Sequence, residues 1–552
     1  MQSHNDGPTP RELERLFRRG KLSRRQFVGG LAALGAAGST IDYLLGSETP
    51  SIHAEPGPAP RYLVIIVLDA FREDYLSLQP MPALSALARS GISYDRAWVG
   101  QLESYTPVGH ATISTGSMPR TQGVIGFEWQ DPQTGLERFD GWSQGTLAGE
   151  LDRDLRASGV PSIPLAIKAA DPHAQVVALS SEKVYAADAM GGWASDYTLY
   201  LRQTPANTLV PAAVPGHLPP DDFLKLPGLH VSSTLHHLTD WDYLSAMMAL
   251  AALERLAPRV LMVNLPGTDY YGHRYGGPAT PAAMKQVIAG QDRNIARIVS
   301  AYRRAGIFDQ TLFVVTSDHG MVANTHTVSP AQVQTAVKQA GGHYFFHTGG
   351  TATDLYLHDP NHARKVSARL LAMPNSAASY YLAQSGGQYE YLPAPGLRLD
   401  PALDAAYHYL LNTFAGPSAP TVVAPLRENT IGQTFATLHG DHGGLNWGVQ
   451  QIPLVLSGPG VSSGVTSHHP ARLMDIAPTI LRIMGVGVPG AMDGTVLADA
   501  VAGARADEVA AQHALASPLT AHQDALIAQS VDNVAQDKKA GRHPPPAVPI
   551  KP

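Results

Sequence analysis

Asp269 and His273 stand four residues apart in NLPGTDYYGHRYGG, Asp318 and His319 are adjacent in VVTSDHGM, and His439, Asp441 and His442 crowd into TLHGDHGGLNWG. Hard carboxylate oxygens and imidazole nitrogens are ligands for Zn²⁺, and close pairs of them can converge on bound ions. Another carboxylate, Asp69, ends the apolar run RYLVIIVLD; alone it reads equally well as a helix cap or a salt-bridge partner. The remaining candidate is a hydroxyl. Thr106 precedes Pro107 in ESYTPVGHATISTG. Proline favours the first helical position and pushes the preceding residue into an extended conformation, so Thr106 is expected as a helix N-cap. Free backbone N–H groups and the helix dipole favour an anion there. A hydroxyl in that place can attack phosphorus if a metal lowers its pKa, although an ordinary capping threonine is the better explanation of this segment taken alone.

These residues need a scaffold that brings distant segments together. RYLVIIVLD reads as a buried parallel strand, and AQVVALS (174–180), RVLMVNLPG (259–267), TLFVVTS (311–317) and IPLVLSG (452–458) read as further strands. Helical patterns lie between them in MPALSALARSG, DWDYLSAMMALAALERLA, AAMKQVIAGQDRNIARIVSAYRRAG and DIAPTILRIMG. The alternation predicts an α/β fold, a mostly parallel sheet sandwiched by helices, with ligands bound outside the carboxyl ends of the strands. Each candidate carboxylate follows a predicted strand or lies in a glycine loop. Gly267, Gly272, Gly276 and Gly277 predict a loop around Asp269 and His273, and Gly320 is expected to let the chain turn after Asp318 and His319. Residues from about 185 to 240 and from about 325 to 435 read as insertions, the second as a cap shaping substrate access. The catalytic unit then spans about 60–500. The tail at 505–552 reads as a surface helix followed by disorder.

At 552 residues the chain is long enough for one large domain with insertions, and 44% apolar against 16% charged residues fits a folded protein. A net charge of −6 offers no basic footprint for a nucleic-acid polymer. The absence of cysteine excludes disulfides, thiolate ligands and a cysteine nucleophile. Near the N-terminus, Ser23, Arg24, Arg25, Gln26, Phe27 and Val28 stand ahead of a short Gly/Ala-rich apolar run. Residues 1–54 therefore resemble a twin-arginine export signal with its linker, implying the twin-arginine machinery as a partner and a periplasmic, extracellular or cell-surface destination.

Taken in order, LDAFR, TPVGHATISTG, DYYGH, SDHGM, the HGG before IPLVLSGPGV, and DIAPTILRIMG resemble the alkaline phosphatase superfamily, nearest its nucleotide pyrophosphatase/phosphodiesterase branch. The resemblance implies two divalent ions, usually zinc. Asp269, His273 and His442 would hold one, with His442 preferred to His439. Asp69, Asp318 and His319 would hold the other, and Thr106 would bridge them as nucleophile through a phosphothreonine intermediate. It also points to three substrate-side positions. Phe127 stands where relatives often carry an asparagine that contacts phosphate, while Lys183 and Tyr185 fall on a Lys-x-Arg pair, keeping the lysine and losing the arginine. A phosphate monoester dianion needs more donors than a diester monoanion, so diesters or phosphonates are the expected substrates. A phosphomutase and a catalytically silent metal-binding relative are the rival readings. A sulfatase would require a Cys/Ser-x-Pro-x-Arg string, which this chain lacks.

Overall fold

The structure is a computed structural model that describes residues 59–130, 137–139, 149–203, 209–213, 223, 240–279, 281–432, 438–504 and 506–542. The export signal and its linker at 1–54 and the last ten residues of the tail lie outside the described residues.

Strand Tyr62–Leu68 occupies the centre of a nine-stranded sheet. It pairs in parallel with Val260–Leu265 on one side and Thr311–Thr316 on the other. Val176–Ser180 and Tyr197–Gln203 extend the sheet in parallel beyond Val260–Leu265, and antiparallel Leu209–Ala213 forms that edge. On the other side Leu454–Ser457 runs antiparallel to Thr311–Thr316 and leads to Ile92–Tyr94 and Val465–Ser467. The expected strands all form, in a mostly parallel sheet, and the IPLV segment is the antiparallel one.

Both faces are covered, which is why these strands read as unbroken apolar runs. Val64, Ile66 and Leu68 pack with Val263 and Phe313 against helices Pro82–Ser90, Asp240–Leu256 and Pro281–Arg304. Leu63, Ile65 and Val67 face the opposite way, toward Ile113, Ile167, Ile476 and Ile480 of helices Thr106–Thr115, Ile163–Ala170 and Ile476–Ile483.

One segment differs from expectation. The stretch from about 185 is not an appendage over its described first part: helix Val184–Gly191 and strand Tyr197–Gln203 are built into the core layer. Its weak periodicity reflects burial on both sides. Between 325 and 435 a separate five-stranded antiparallel sheet runs in the order Tyr344–Thr348, Ala352–Leu357, Val422–Pro425, Tyr380–Ser385, Gln388–Pro393. Helix Ala506–Lys539 then lies across both units, with Gln523 Nε2 donating to the Arg96 carbonyl and Gln529 Oε1 accepting from Tyr407. Among the described residues no helix is long and apolar enough to cross a membrane.

Candidate active site

Parallel strands that end together present their next residues to one crevice. Asp69 follows Tyr62–Leu68, Lys183 follows Val176–Ser180, helix Gly267–Tyr275 follows Val260–Leu265, and Asp318 and His319 follow Thr311–Thr316. The structure brings Asp69, Thr106, Lys183, Asp269, His273, Asp318, His319 and His442 together there. Among these only His273 is more than slightly exposed.

Asp269 and His273 lie on a helix rather than in the expected loop. Its glycines serve packing and termination. A Cβ on Gly267 would strike the Asp242 carboxylate, one on Gly272 would sit 2.5 Å from Met321 Cε, and Gly276 closes the helix at φ +83°. Asp242 Oδ1 accepts from the Gly267 N–H at 2.7 Å and anchors the helix start. The four-residue spacing thus places both ligand candidates on one face. His442 reaches them from the loop after Asp441. Its Nε2 is 3.2 Å from His273 Nε2 and 3.2 Å from Asp269 Oδ1, and His273 Nε2 is 3.4 Å from the same oxygen. His439 does not join: its backbone N–H donates to the His273 carbonyl, and among the described residues no metal-capable group of side chains includes it.

The second cluster forms around Thr106. Its Oγ1 is 3.1 Å from His319 Nε2 and 3.5 Å from Asp69 Oδ1, while His319 Nε2 is 3.3 Å from Asp318 Oδ2 and 3.8 Å from Asp69 Oδ1. Thr106 is the first helical residue and Tyr105 the N-cap, one position from expectation. The Thr106 hydroxyl caps nothing and points at the carboxylates instead. Gly320 has a role other than the expected turn. Its N–H donates to Val449 O at 2.8 Å, and a Cβ there would collide with the Gly448 carbonyl. Asp318 Oδ1 is fixed by the N–H groups of Ala70 (3.1 Å) and His319 (3.0 Å), which leaves Oδ2 facing inward.

The donors of both clusters fit metal ions. His273, His319 and His442 each place Nδ1 on a backbone carbonyl, of Gly440, Gly320 and Ser104 at 2.9–3.0 Å. Carbonyls only accept, so each Nδ1 carries a proton, and each Nε2 presents a lone pair whenever the ring is neutral, as it is when ligating a metal. Those lone pairs face one another and two buried carboxylate oxygens, Asp269 Oδ1 and Asp318 Oδ2, that receive no hydrogen bond. Acceptors aimed at acceptors in a buried site call for a cation between them. The spacings also match: ligands at about 2.0–2.1 Å from a tetrahedral Zn²⁺ lie about 3.3 Å apart.

Among the protein groups alone, burial and the Asp318 carboxylate push Asp69 up to about 6 against the pull of Lys183. Burial and neighbouring His319 hold His442 down to about 3, in the neutral form a ligand needs. Burial opposes ionisation of Asp269, yet Lys183 and His273 hold it well below the usual carboxylate range.

Over residues 63–444 the chain matches the type I phosphodiesterase / nucleotide pyrophosphatase family. It belongs to that family. Alkaline phosphatase PhoD of Zymomonas mobilis subsp. mobilis (strain ATCC 31821 / ZM4 / CP4) is 26% identical over 318 residues, covering 48% of this chain and 54% of that protein. Alkaline phosphatase PhoK of Sphingomonas sp is 24% identical over 322 residues, 49% of this chain and 56% of PhoK. The chain thus spans about half the length of these two relatives. The crystal structure of wild-type alkaline phosphatase PafA superposes with TM-score 0.65 at 17% identity, covering 80% of this chain and 99% of that one. An inactive threonine-to-alanine variant of murine ectonucleotide pyrophosphatase / phosphodiesterase 5, in complex with AMP, superposes at 0.54 with 14% identity, covering 78% and 96%. These neighbours bear out the alkaline-phosphatase-like α/β fold.

Within this type I phosphodiesterase-family site, Lys183 Nζ lies 2.9 Å from Asp69 Oδ1, 2.6 Å from Asp269 Oδ2 and 3.4 Å from Thr106 Oγ1. Phe127 and Tyr185 meet edge to face with centroids 5.1 Å apart, and Tyr105 joins Phe127 at 5.6 Å and His442 at 5.5 Å. An aromatic wall therefore stands beside the nucleophile candidate, with Tyr185 near Lys183. Sequence reasoning passed over two buried residues, His110 and Asn264. His110 is four residues after Thr106 on the same helix, and Asn264 is a polar residue in the apolar strand Val260–Leu265. Each of those signals could have found them.

Proposed function

We propose that the chain is a metal-dependent hydrolase of phosphoric esters that acts through Thr106. Asp269, His273 and His442 would hold one divalent ion and Asp69, Asp318 and His319 a second, zinc by their nitrogen- and oxygen-rich donor sets. When bound, the ions supply Lewis acidity to the attacking and leaving oxygens of an in-line displacement. Thr106 Oγ1 attacks phosphorus, its new O–P bond replaces the ester P–O bond, and the alcohol departs. Water then cleaves the phosphothreonine and frees the hydroxyl. Lys183 Nζ, within 3.4 Å of Thr106 Oγ1, steadies the phosphoryl oxygens. The observation that carries this reading is the convergence of three imidazoles and two unbonded carboxylate oxygens in the crevice into which the Thr106 hydroxyl points.

The expected substrates are diesters or phosphonates. The wall beside Lys183 offers the rings of Phe127 and Tyr185 where a dianion would need an amide and a guanidinium. AMP bound to the murine neighbour's threonine-to-alanine variant supports nucleotide esters as one class. The twin-arginine-type N-terminus would carry the folded enzyme out of the cytoplasm.

The test compares purified protein stripped of metal and reloaded with Zn²⁺ on p-nitrophenyl phosphate and its methyl diester. The expected result is metal-dependent turnover with the diester preferred. Turnover surviving in the metal-free protein would overturn the mechanism, and a strong monoester preference the substrate class.

A further inference from the structure

We propose that His110 and Asn264 form a positioning pair that sets Thr106, Asp69 and Asp318 relative to one another, and that His110 is not itself a metal ligand. The proposal rests on the metal centre proposed above. Both side chains are fully buried. His110 Nδ1 lies 2.8 Å from the Thr106 carbonyl and 3.2 Å from Asp318 Oδ2, and its Nε2 lies 3.0 Å from Asn264 Nδ2. Asn264 Nδ2 also donates to Asp69 Oδ2 at 2.7 Å, and Asn264 Oδ1 accepts from Ser180 Oγ at 2.9 Å. One imidazole and one amide thus connect the nucleophile's helix to the ends of four strands.

Hydrogen-bond direction fixes every proton in this chain. Ser180 Oγ accepts from the Lys183 N–H at 3.1 Å, so its own hydrogen goes to Asn264 Oδ1. That leaves the two amide hydrogens of Asn264 for Asp69 Oδ2 and His110 Nε2. This arrangement has His110 Nε2 accepting from the amide and the Nδ1 proton facing the Thr106 carbonyl. Asp69, His110 and Asp318 lie close enough together to hold an ion. His110 differs from His273, His319 and His442 in this respect: its Nε2 is already taken by an N–H donor, whereas those of His273 and His442 face Asp269 Oδ1 and that of His319 faces Asp318 Oδ2 and the Thr106 hydroxyl. The glycine one residue before it completes the arrangement. A Cβ on Gly109 would sit 2.6 Å from the Asp318 carbonyl, so the helix can approach Asp318 closely only with glycine there.

Partners of this kind typically change metal affinity by about 10–100-fold when removed. The experiment measures Zn²⁺ stoichiometry and affinity, by competition with a chromophoric chelator, for wild type, His110→Ala, Asn264→Ala and the double variant, with circular dichroism as a fold check. Wild type and variants should each bind two ions at saturation. Each single variant should weaken one of the two sites by about 10–100-fold, and the double variant should lose less than the product of the two. Either single variant suffices if the other fails to fold. Loss of an ion at saturating Zn²⁺ in His110→Ala would make His110 a ligand and overturn the proposal. Unchanged affinities, or fully multiplicative losses, would also overturn it. A wild-type chain that takes up no Zn²⁺ would sink the metal centre and this pair with it, whereas normal wild-type uptake with unaffected variants sinks the pair alone.

Discussion

The Lys183 ammonium is 2.6 Å from the Asp269 carboxylate and bridges it to Asp69, so a cation of the chain itself spans the two ligand clusters. Its position beside Thr106 Oγ1 leads to the first expectation. Lys183→Met should lower kcat/KM for a diester by about 10²-fold, the usual cost of one oriented charge-stabilising donor. Metal content, read by elemental analysis, should stay the same. A variant with wild-type kcat/KM would remove Lys183 from the phosphoryl site.

Thr106→Ala deletes the hydroxyl and leaves every carboxylate and imidazole in place. Turnover should fall by about 10³-fold or more, while Zn²⁺ binding measured on the same preparation changes little. Comparable turnover in this variant would exclude Thr106 as nucleophile.

His442 and His439 are separated by the same experiment. His442→Ala removes one of three converging donors and should weaken one site by more than about 100-fold, beyond the usual effect of an outer partner. His439→Ala should leave both affinities intact, because that residue contributes its backbone to the His273 carbonyl. The reverse ranking would reassign the ligand.

Restoring an amide and a guanidinium should change the substrate. Phe127→Asn combined with Tyr185→Arg is expected to raise the monoester-to-diester ratio of kcat/KM by about 10-fold, roughly one charge-assisted hydrogen bond. An unchanged ratio would mean that the aromatic wall does not govern the choice.

Glu103 and Asp354 give a pH dependence of known sign. Both are buried, and the two carboxyl groups act on each other, so ionising both is unfavourable. Burial pushes Asp354 up to about 6, and burial together with Asp354 raises Glu103 well above its ordinary value. A carboxyl group with a raised folded pKa contributes stability that is fully present at low pH and lost as pH rises through that pKa. Asp354 therefore contributes fully below about pH 4 and loses that contribution as pH passes about 6, with Glu103 following higher. Glu103→Gln keeps a donor and has no proton to lose. Its Tm should match wild type in acid and fall less between pH 6 and 9, as read by thermal melts; parallel curves would remove Glu103 from the pH dependence.

Much of this protein was legible in the sequence because some signals are local. The β-branched runs ending at Asp69 and before Asp318 identified buried parallel strands, and strand–helix alternation located a crevice beyond their carboxyl ends. The types and order of Asp69, Thr106, Asp269, His273, Asp318, His319 and His442 point to one site from the sequence alone. Other features were decided only by tertiary contact. The glycines around Asp269 suggest a loop locally, yet Met321 and the Asp242 carboxylate need their missing side chains for a helix to fit. His442 and His439 are nearly equivalent in sequence, and only the Ser104 carbonyl, more than three hundred residues away, turns the former's lone pair inward. His110 and Asn264 acquire meaning only as partners of each other. Residue type determines which donors and acceptors are available, but the direction of a hydrogen bond or lone pair is a relation between distant groups, and only the packed structure determines it.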